Sequence, residues 1–309
     1  MRNWLVLLIG IAVFAALPLL HDNYMLRLGT TLAMYVVLAQ SWNFIGGLAG
    51  YPSFATAAFF GLGAYASAML QLRGIPMVGS WCVGGLTAAI FAALIGGAIL
   101  HLRGHYFAIA SLVIAEVLRE TINSAPAFTG GGMGLNLPVM RLGIVQQSEL
   151  FFYAMLLLAA VCVGAAIVVQ KSKLGFGLRC IEQSEDAANM LGINTYGYKT
   201  AAFVLSSVFV GVAGGIYASW VHYIEPPDVF DVMLSIKPIV MVLLGGLGTL
   251  FGPALGAAII IVFEEVVWRN FLMIHEAILG AIIVLLVLFI PNGLLSLVKR
   301  RLKPLKPVP

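Results

Sequence analysis

Long apolar stretches with almost no charged side chains run through the whole chain, and they strongly limit what it can fold into. The 309 residues include 17 Lys and Arg and 13 Asp and Glu, and the mean hydropathy is +1.02. A soluble domain carries about 25% charged residues, whereas this chain carries 10%. This composition excludes a soluble enzyme and a disordered chain, and it predicts an integral membrane protein. The three cysteines, Cys82, Cys162 and Cys180, are too few and too widely spaced for a disulfide scaffold or a metal knuckle.

The lengths of the apolar stretches predict how often the chain crosses the membrane. A spanning helix needs about 20 mostly apolar residues. Stretches of that kind lie at 4–20, 28–47, 54–72, 78–100, 105–123, 150–170, 201–221, 234–249, 252–268 and 276–297. We therefore predict an all-α integral membrane protein with about ten transmembrane helices, folded as a single transmembrane domain over residues 1–309.

Lys and Arg gather in two places, and this predicts the orientation of the chain. Cytoplasmic loops of membrane proteins carry an excess of these two residues. The segment 171–199 and the tail 298–309 together hold nine of the 17 basic residues. We therefore expect both of them in the cytoplasm. An even number of crossings separates them, and counting back puts the N-terminus in the cytoplasm and the loops 124–149 and 223–228 outside.

Two segments interrupt apolar helices with polar side chains, glycines and a proline. They lie at 40–56 and at 244–256, and both contain Gly-Gly-Leu, a further glycine and then a proline. A helix broken at membrane depth is tolerated only against protein or a water-filled cavity, and paired breaks in the two halves of a chain indicate a translocation path. Close helix packing through small residues is the alternative explanation. The candidate path residues are Asn43, Gly46, Gly47, Gly50, Ser53, Thr56, Gly245, Gly246 and Gly248.

The segment 171–199 contains a predicted amphipathic helix on the cytoplasmic side. Residues 178–191 lack proline and glycine, and Gly192 stands where a left-handed cap would end the helix. Helical periodicity puts Ile181, Ala188 and Leu191 on an apolar face, and it puts the acidic residues on the opposite face. A helix that lies on lipid normally carries Lys and Arg on its polar face. The acidic face, with Glu182, Glu185 and Asp186, therefore favours docking to another protein, and a merely solvated face is the alternative.

Few other groups in the chain could carry chemistry. Glu116 has Arg119 three residues further on, so a structural ion pair is expected, while Glu264 and Glu265 lie near the outer end of a predicted span. The glycine run at 130–134 is followed by no lysine and is therefore not a phosphate-binding loop. We predict no catalytic, cofactor-binding or metal-binding residue in this chain.

Residues 186–192 carry a family resemblance. Their sequence, Asp-Ala-Ala-Asn-Met-Leu-Gly, resembles the Glu-Ala-Ala-x-x-x-Gly loop of ABC importer permeases. The flanking sequences 175–185 and 198–214 are similar to the LivM-type permeases of branched-chain amino acid importers. So are Arg103-Gly-His-Tyr-Phe-Ala-Ile109, Thr129-Gly-Gly131, the glycines at 245–253 and Pro291-x-Gly-Leu294. The resemblance covers nearly the whole chain.

The resemblance implies a transport subunit with separate partners. Such a permease works in a bacterial inner membrane with a second, related permease, two ATPase subunits that hydrolyse ATP, and a periplasmic binding protein. Its loop forms a coupling helix that docks into the ATPase. Besides membrane lipid, no further partner is implied, and neither nucleic acid nor a cofactor is expected. The coupling residues implied here are Arg179, Glu182, Glu185, Asp186, Ala187, Ala188 and Gly192.

Two departures from the family pattern bear on the substrate. Asp186 replaces the usual Glu of the loop, and the stretch 50–56 lacks the Gln and His that the family tends to show there. The resemblance implies Leu, Ile, Val or a similar hydrophobic amino acid as substrate. Urea, short amides and aromatic or organic acids are alternatives within the same family. An ion-coupled secondary transporter is the alternative from another class, but no pair of facing acids near mid-membrane supports it.

Overall fold

A computed structural model describes residues 2–20, 22–140, 143–270 and Gly280. This part of the chain is built almost entirely of helices. They are α1 (Arg2–Ala15), α2 (Asn23–Trp42), α3 (Thr56–Leu72), α4 (Met77–Ile99), α5 (His105–Asn123), α6 (Pro126–Thr129), α7 (Ile144–Lys171), α8 (Lys173–Gln183), α9 (Glu185–Met190), α10 (Thr195–Val221), α11 (Pro226–Val229), α12 (Met233–Gly245) and α13 (Gly252–Asn270). Two short strands, β1 (Leu135–Asn136) and β2 (Tyr223–Ile224), complete the secondary structure together with a π-helical turn at Asn43–Gly47 and short 3-10 turns at Leu17–Leu20 and Gly131–Met133.

The predicted all-α membrane fold is confirmed, while the number of crossings stays a prediction. Nine of the predicted spans coincide with described helices, and 276–297 lies outside the described residues except for Gly280. By length and composition, α4, α7 and α10 are each long and apolar enough to cross a membrane. In contrast, α12 has 13 residues and rises by about 20 Å, less than the roughly 30 Å of a bilayer core.

The core is formed where α10 packs against α3 and α4, and α2 packs mainly against α7. Three glycines bring the first group into backbone contact. A Cβ atom added at Gly63 would lie 2.1 Å from the carbonyl oxygen of Gly211, and one added at Gly84 would lie 2.7 Å from that of Gly63. Because even a methyl group would overlap the neighbouring backbone, only glycine permits this approach of α3, α4 and α10.

The loops separate into two ends of the molecule. At one end, β1 pairs with β2 in antiparallel register, with Leu135 opposite Ile224, so the segments 124–140 and 222–231 lie together. We call this the β end. At the other end, the residues after α2 and α4 meet α9 and the first turn of α10, and we call this the α9 end. The distribution of Lys and Arg predicts the loops 124–149 and 223–228 on one side and the segment 171–199 on the other, and the contacts group these segments in the same way.

Replacing Gly211 by Ala tests the glycine contact. The new Cβ atom would lie 2.6 Å from Cβ of Ala88 on α4, so we expect overpacking to lower the free energy of unfolding by about 1–3 kcal/mol. Thermal unfolding in detergent measures the loss. The control is Gly79→Ala in α4, where the nearest atom belongs to Ile75 at 3.7 Å and helix propensity favours alanine by up to about 1 kcal/mol. Equal melting temperatures for the two variants would contradict the packing.

Candidate functional site

The segment at the α9 end folds as two helices, and the single helix predicted over 178–191 is wrong. The helix α8 ends at Gln183, and Ser184 has an extended backbone before α9 begins at Glu185. The Ser184 hydroxyl accepts a hydrogen bond from the Ala187 amide at 3.3 Å. A serine that caps a new helix competes with continuation of the previous one, and acids in the first turn suit the helix dipole. The predicted left-handed cap at Gly192 is confirmed, with φ of 81°.

A buried lysine holds α9 to the rest of the molecule. Lys199, in the first turn of α10, is 2% exposed. Its Nζ donates hydrogen bonds to Glu185 Oε1 at 2.6 Å, to the Leu100 carbonyl oxygen at 2.7 Å and to the Tyr51 hydroxyl at 3.0 Å. The Tyr51 hydroxyl in turn donates to Glu185 Oε2. The ammonium group therefore has three acceptors, which joins α9, α10 and the residues after α2 and α4.

Arg103 lies on the exposed side of the same cluster. Its guanidinium donates to both carboxylate oxygens of Asp186, at 2.9 and 3.3 Å, and its Nε lies 3.5 Å from Glu185 Oε2. Two parallel hydrogen bonds fix the geometry of an Arg–carboxylate pair. Because both side chains are largely exposed, this pair contributes less to stability than the buried one. It orients the first turn of α9 toward the loop after α4.

The cluster shifts the pKa values of its acids. Burial raises the pKa of Glu185, but the hydrogen bonds from Lys199 and Tyr51 outweigh burial, so the pKa is lowered overall. The hydrogen bond from Arg103 lowers the pKa of Asp186. Burial, followed by the hydrogen bond to Glu185, raises the pKa of Tyr51, which therefore stays a proton donor. Both carboxylates are ionised at neutral pH and serve as anchors.

The exposed surface of α9 differs from the predicted acidic face. The Glu185 side chain is turned inward and is 13% exposed. Met190 and Leu191 are 88% and 79% exposed at the other end of α9, although Leu191 was expected on the buried face. The break at Ser184 changes the helical phase, and this rotates the residues that follow it. Of the other predicted coupling residues, Ala188 is buried, whereas exposed positions are taken by Arg179, Glu182, Ala187 and Gly192.

The two Gly-rich breaks predicted from the sequence lie against each other. After α2, the π-helical turn Asn43–Gly47 leads to Gly50, and after α12 the chain turns at Gly246 and Gly248, both with positive φ. The Asn43 amide bridges them, because Nδ2 donates to the Thr249 carbonyl oxygen at 3.0 Å and Oδ1 accepts from the Gly248 amide at 3.0 Å. The side chain thus satisfies backbone groups that a broken helix leaves free.

The contact between the breaks leaves no room for larger side chains. A Cβ atom at Gly47 would lie 2.8 Å from the Gly248 nitrogen, and one at Gly248 would lie 2.8 Å from the Gly47 carbonyl oxygen. Asn43, Gly46, Gly47, Ser53, Thr56, Gly245 and Gly246 are buried, Gly248 is half-buried, and Gly50 is exposed. The breaks are packed shut in this conformation. A path along these residues stays a prediction and requires the two segments to separate.

Other charged groups also have partners. The predicted ion pair between Glu116 and Arg119 is confirmed. Lys237 Nζ on α12 lies 2.6 Å from Glu264 Oε1 on α13, and the Tyr24 hydroxyl donates to Glu265. Sequence reasoning had placed neither Lys199 nor Lys237 in a site. Their position in the sequence was the signal that could have identified them, because a lysine inside or beside an apolar helix is rare and needs a hydrogen-bond acceptor.

These features are typical of a helical membrane transport protein: long apolar helices surround two broken helices, which meet beside the helical segment α8–α9. The comparison with protein families supports this class and narrows it. One family model matches residues 24–290 and describes the permease component of branched-chain amino acid transport systems. The chain belongs to this family and is a permease subunit of an amino acid importer. Its resemblance to LivM-type permeases is confirmed.

Individual relatives agree with the family. The chain is 27% identical to the high-affinity branched-chain amino acid permease LivM of Escherichia coli K12 over 98% of this chain and 76% of LivM. It is 25% identical to LivH of Salmonella typhimurium over 87% of this chain and 93% of LivH. The nucleoside ABC transporter permease NupC of Lactococcus lactis is 28% identical over 51% of this chain and 55% of NupC. No solved structure matches the chain.

Removing Lys199 tests the anchor of α9. In Lys199→Gln, the Glu185 carboxylate loses its buried ammonium partner, which costs about 3–5 kcal/mol and should lower the melting temperature in detergent by roughly 5–10 °C. The double variant Lys199→Gln/Glu185→Gln should recover part of this loss, because no unpaired charge remains buried. Arg119→Gln is the control, since its ion pair is exposed and is worth about 1 kcal/mol at most. A Lys199→Gln variant as stable as Arg119→Gln would show that the cluster does not hold α9.

The lowered pKa of Glu185 gives the anchor a defined pH dependence. Its stabilising effect is fully present above the pKa of a carboxyl in the unfolded chain, about 4.3, and is lost as the pH falls through the lower folded value. We expect the melting-temperature difference between the wild type and Glu185→Gln to be constant from about pH 8 to about pH 5 and to shrink below about pH 4. A difference that already shrinks between about pH 7 and about pH 6 would contradict the ionised anchor.

Proposed function

We propose that this chain is the single-domain permease subunit, over residues 1–309, of an ATP-driven importer for branched-chain or similar hydrophobic amino acids. It would take substrate from a periplasmic binding protein and release it to the cytoplasm by alternating access. One observation carries this proposal. A projecting segment, α8–α9, is tied by Lys199 and Glu185 to the residues that follow α2 and α4. Such a connection transmits an outside force to several helices at once.

The proposed complex contains a second, homologous permease, two ATPase subunits that hydrolyse ATP, and the binding protein. The relatives support the second permease. In Escherichia coli K12, both LivM and LivH are permease proteins of a high-affinity branched-chain amino acid transport system, and this chain is 27% and 24% identical to them. A chain similar to two permeases of one organism fits a complex of two related membrane subunits.

We place the α9 end in the cytoplasm and the β end outside a bacterial inner membrane, with both termini cytoplasmic. The excess of Lys and Arg in 171–199 and 298–309 supports this orientation. The tail lies outside the described residues, so the structural support comes from the contacts that place α8 and α9 at one end and the β1–β2 pair at the other.

The ATPase contact is assigned to the exposed tip of α9. Met190 and Leu191 are apolar, adjacent and almost fully exposed, whereas Glu185 and Asp186 are engaged within the permease. An apolar patch with a polar surround is typical of a protein interface. In this mechanism the ATPase moves Met190 and Leu191, Lys199 passes the movement to α10, and the Asn43–Gly248 contact opens and closes the inner end of the path.

The double variant Met190→Asp/Leu191→Asp tests this assignment. Both positions are exposed, so the variant should insert and melt like the wild type, but the new charges oppose an apolar contact. We expect the ATPase subunits to be lost on co-purification in detergent and ATP-dependent leucine uptake in cells to fall at least about tenfold.

The matched control is Met133→Asp/Val139→Asp, two exposed apolar residues at the β end. This control should keep the ATPase subunits bound. Normal uptake by the α9 variant would overturn the docking role of the tip. Wild-type uptake driven by a proton gradient without any ATPase would overturn the whole proposal in favour of a secondary transporter. Uptake of leucine, a nucleoside and urea, measured in parallel, establishes whether the substrate is an amino acid.

A further inference from the structure

A cavity of about 500 Å³ lies at the β end. Its walls come from α2, α3, α10, α11 and α12 and from the segment between α11 and α12. Sites for small molecules in proteins typically measure about 300–1,000 Å³ and combine apolar walls with a few polar groups. The apolar part of this cavity combines an aromatic wall of Tyr35, Phe60, Tyr217 and Trp220 with the aliphatic side chains of Met34, Val221, Met233 and Leu234. The cavity therefore has the size and the wall of a site for a small, partly apolar molecule.

The same cavity contains charges of both signs. Lys237 lines it from α12, 5.7 Å above the ring of Tyr35 and 2.6 Å from Glu264. Asp228 and Asp231 line it from the segment before α12. The Asp231 carboxylate accepts a hydrogen bond from an amide at 2.9 Å, whereas the Asp228 carboxylate makes no hydrogen bond or ion pair with any residue that the structure describes.

The acidic side of the cavity is suited to a cation. Burial raises the pKa of Asp228, and the negative charges of Glu225 and Asp231 raise it further. Among the described residues, no Lys or Arg forms an ion pair with Asp228. An ammonium group between these carboxylates would relieve the repulsion, and the neighbouring rings of Tyr217 and Trp220 provide faces that also attract cations.

We propose that this cavity is a binding site for the free amino acid, holding its ammonium group at Asp228 and Asp231 and its carboxylate at Lys237. The apolar side chain would lie against the aromatic wall. This inference rests on the proposed function and adds to it the location of the substrate on the outer side. Recognition of both charges separates an amino acid from a neutral amide or a simple carboxylic acid, which carry one of these groups at most.

The position of the cavity fits the direction of import. Trp220 and Lys199 are at opposite ends of α10, about 30 Å apart along the helix axis. That distance matches the apolar core of a bilayer. The cavity lies toward the β end, and the Asn43–Gly248 contact joins the two breaks at the α9 end. In the proposed orientation, the cavity would hold substrate on the outer side while this contact is closed toward the cytoplasm.

Cysteine protection measures binding in the cavity directly. In the full-length chain with Cys82, Cys162 and Cys180 replaced by alanine, Met233→Cys places a thiol in the cavity wall. We expect millimolar leucine to slow its labelling by a charged methanethiosulfonate reagent. Leucinamide, which lacks the carboxylate, and 4-methylpentanoate, which lacks the ammonium group, should need at least tenfold higher concentrations. Met133→Cys, exposed at the same end outside the cavity, should be labelled equally with and without leucine.

Charge variants in the Met233→Cys background assign the two halves of the site. The double change Lys237→Gln/Glu264→Gln removes the cation without leaving Glu264 unpaired, and it should weaken protection by leucine at least tenfold while leaving leucinamide unaffected. Asp228→Asn should weaken leucine and leucinamide but not 4-methylpentanoate. Arg27→Gln and Asp22→Asn, exposed residues at the same end that do not line the cavity, are the matched controls.

Absence of protection by leucine, or full protection in both charge variants, would overturn the site. ATP-dependent leucine uptake is measured separately on the wild-type chain and tests the proposed function. Uptake by the wild type without protection of Met233→Cys would reject the cavity as the binding site but leave the importer function standing. Protection without uptake would leave the binding site standing but reject the importer function.

Discussion

The buried ion pair between Lys199 and Glu185 is the interaction on which the α9 end depends. A lysine that is 2% exposed is stable only because every acceptor it needs is present, and those acceptors come from three different parts of the chain. A charge without partners in such surroundings would be strongly unfavourable. The pair therefore requires α9, the start of α10, Tyr51 and Leu100 to assemble together. The projecting segment is consequently part of the membrane domain and not a loose loop attached to it.

A second constraint is set by the broken helices. Each break leaves backbone groups that a continuous helix would satisfy, and the Asn43 amide supplies partners for both a donor and an acceptor of the other break. The two halves of the chain are thus joined by a polar contact at a point where glycines allow the backbones to touch. Hydrogen bonds to one amide can be broken and formed again more easily than a packed apolar interface, which suits the opening proposed for this contact.

Much of the architecture could be predicted from local pattern. The apolar stretches predicted nine of the described helices, the two Gly-rich breaks and the cap at Gly192, because length, helix periodicity and glycine conformation are local properties. The break at Ser184 was missed, since a serine in a helical pattern either continues the helix or caps a new one. The inward turn of Glu185 was missed as well. Its partners Tyr51 and Arg103 are distant in sequence, and no periodicity reveals such a contact.

The cavity at the β end shows the same limit of local reasoning. Lys237 lies on α12, its partner Glu264 on α13 and Asp228 on the short helix α11, whose sequence resembles any acidic outer loop. Only the fold brings Lys237 and Asp228 into one cavity. The scarcity of charge nevertheless carried information, because the buried Lys199 and the half-buried Lys237 each have an acidic partner.

The glycine contact of α3, α4 and α10 has a mechanical consequence. Backbones that touch at Gly63, Gly84 and Gly211 cannot slide past one another without clashing, so these three helices form a rigid block. A force applied to the first turn of α10 through Lys199 is then shared by the whole block. The α2–α7 pair and the half-length α12 lie outside the block, and the Asn43 contact is on their side. In the proposed mechanism, relative motion within this subunit would therefore be confined to the boundary of the block.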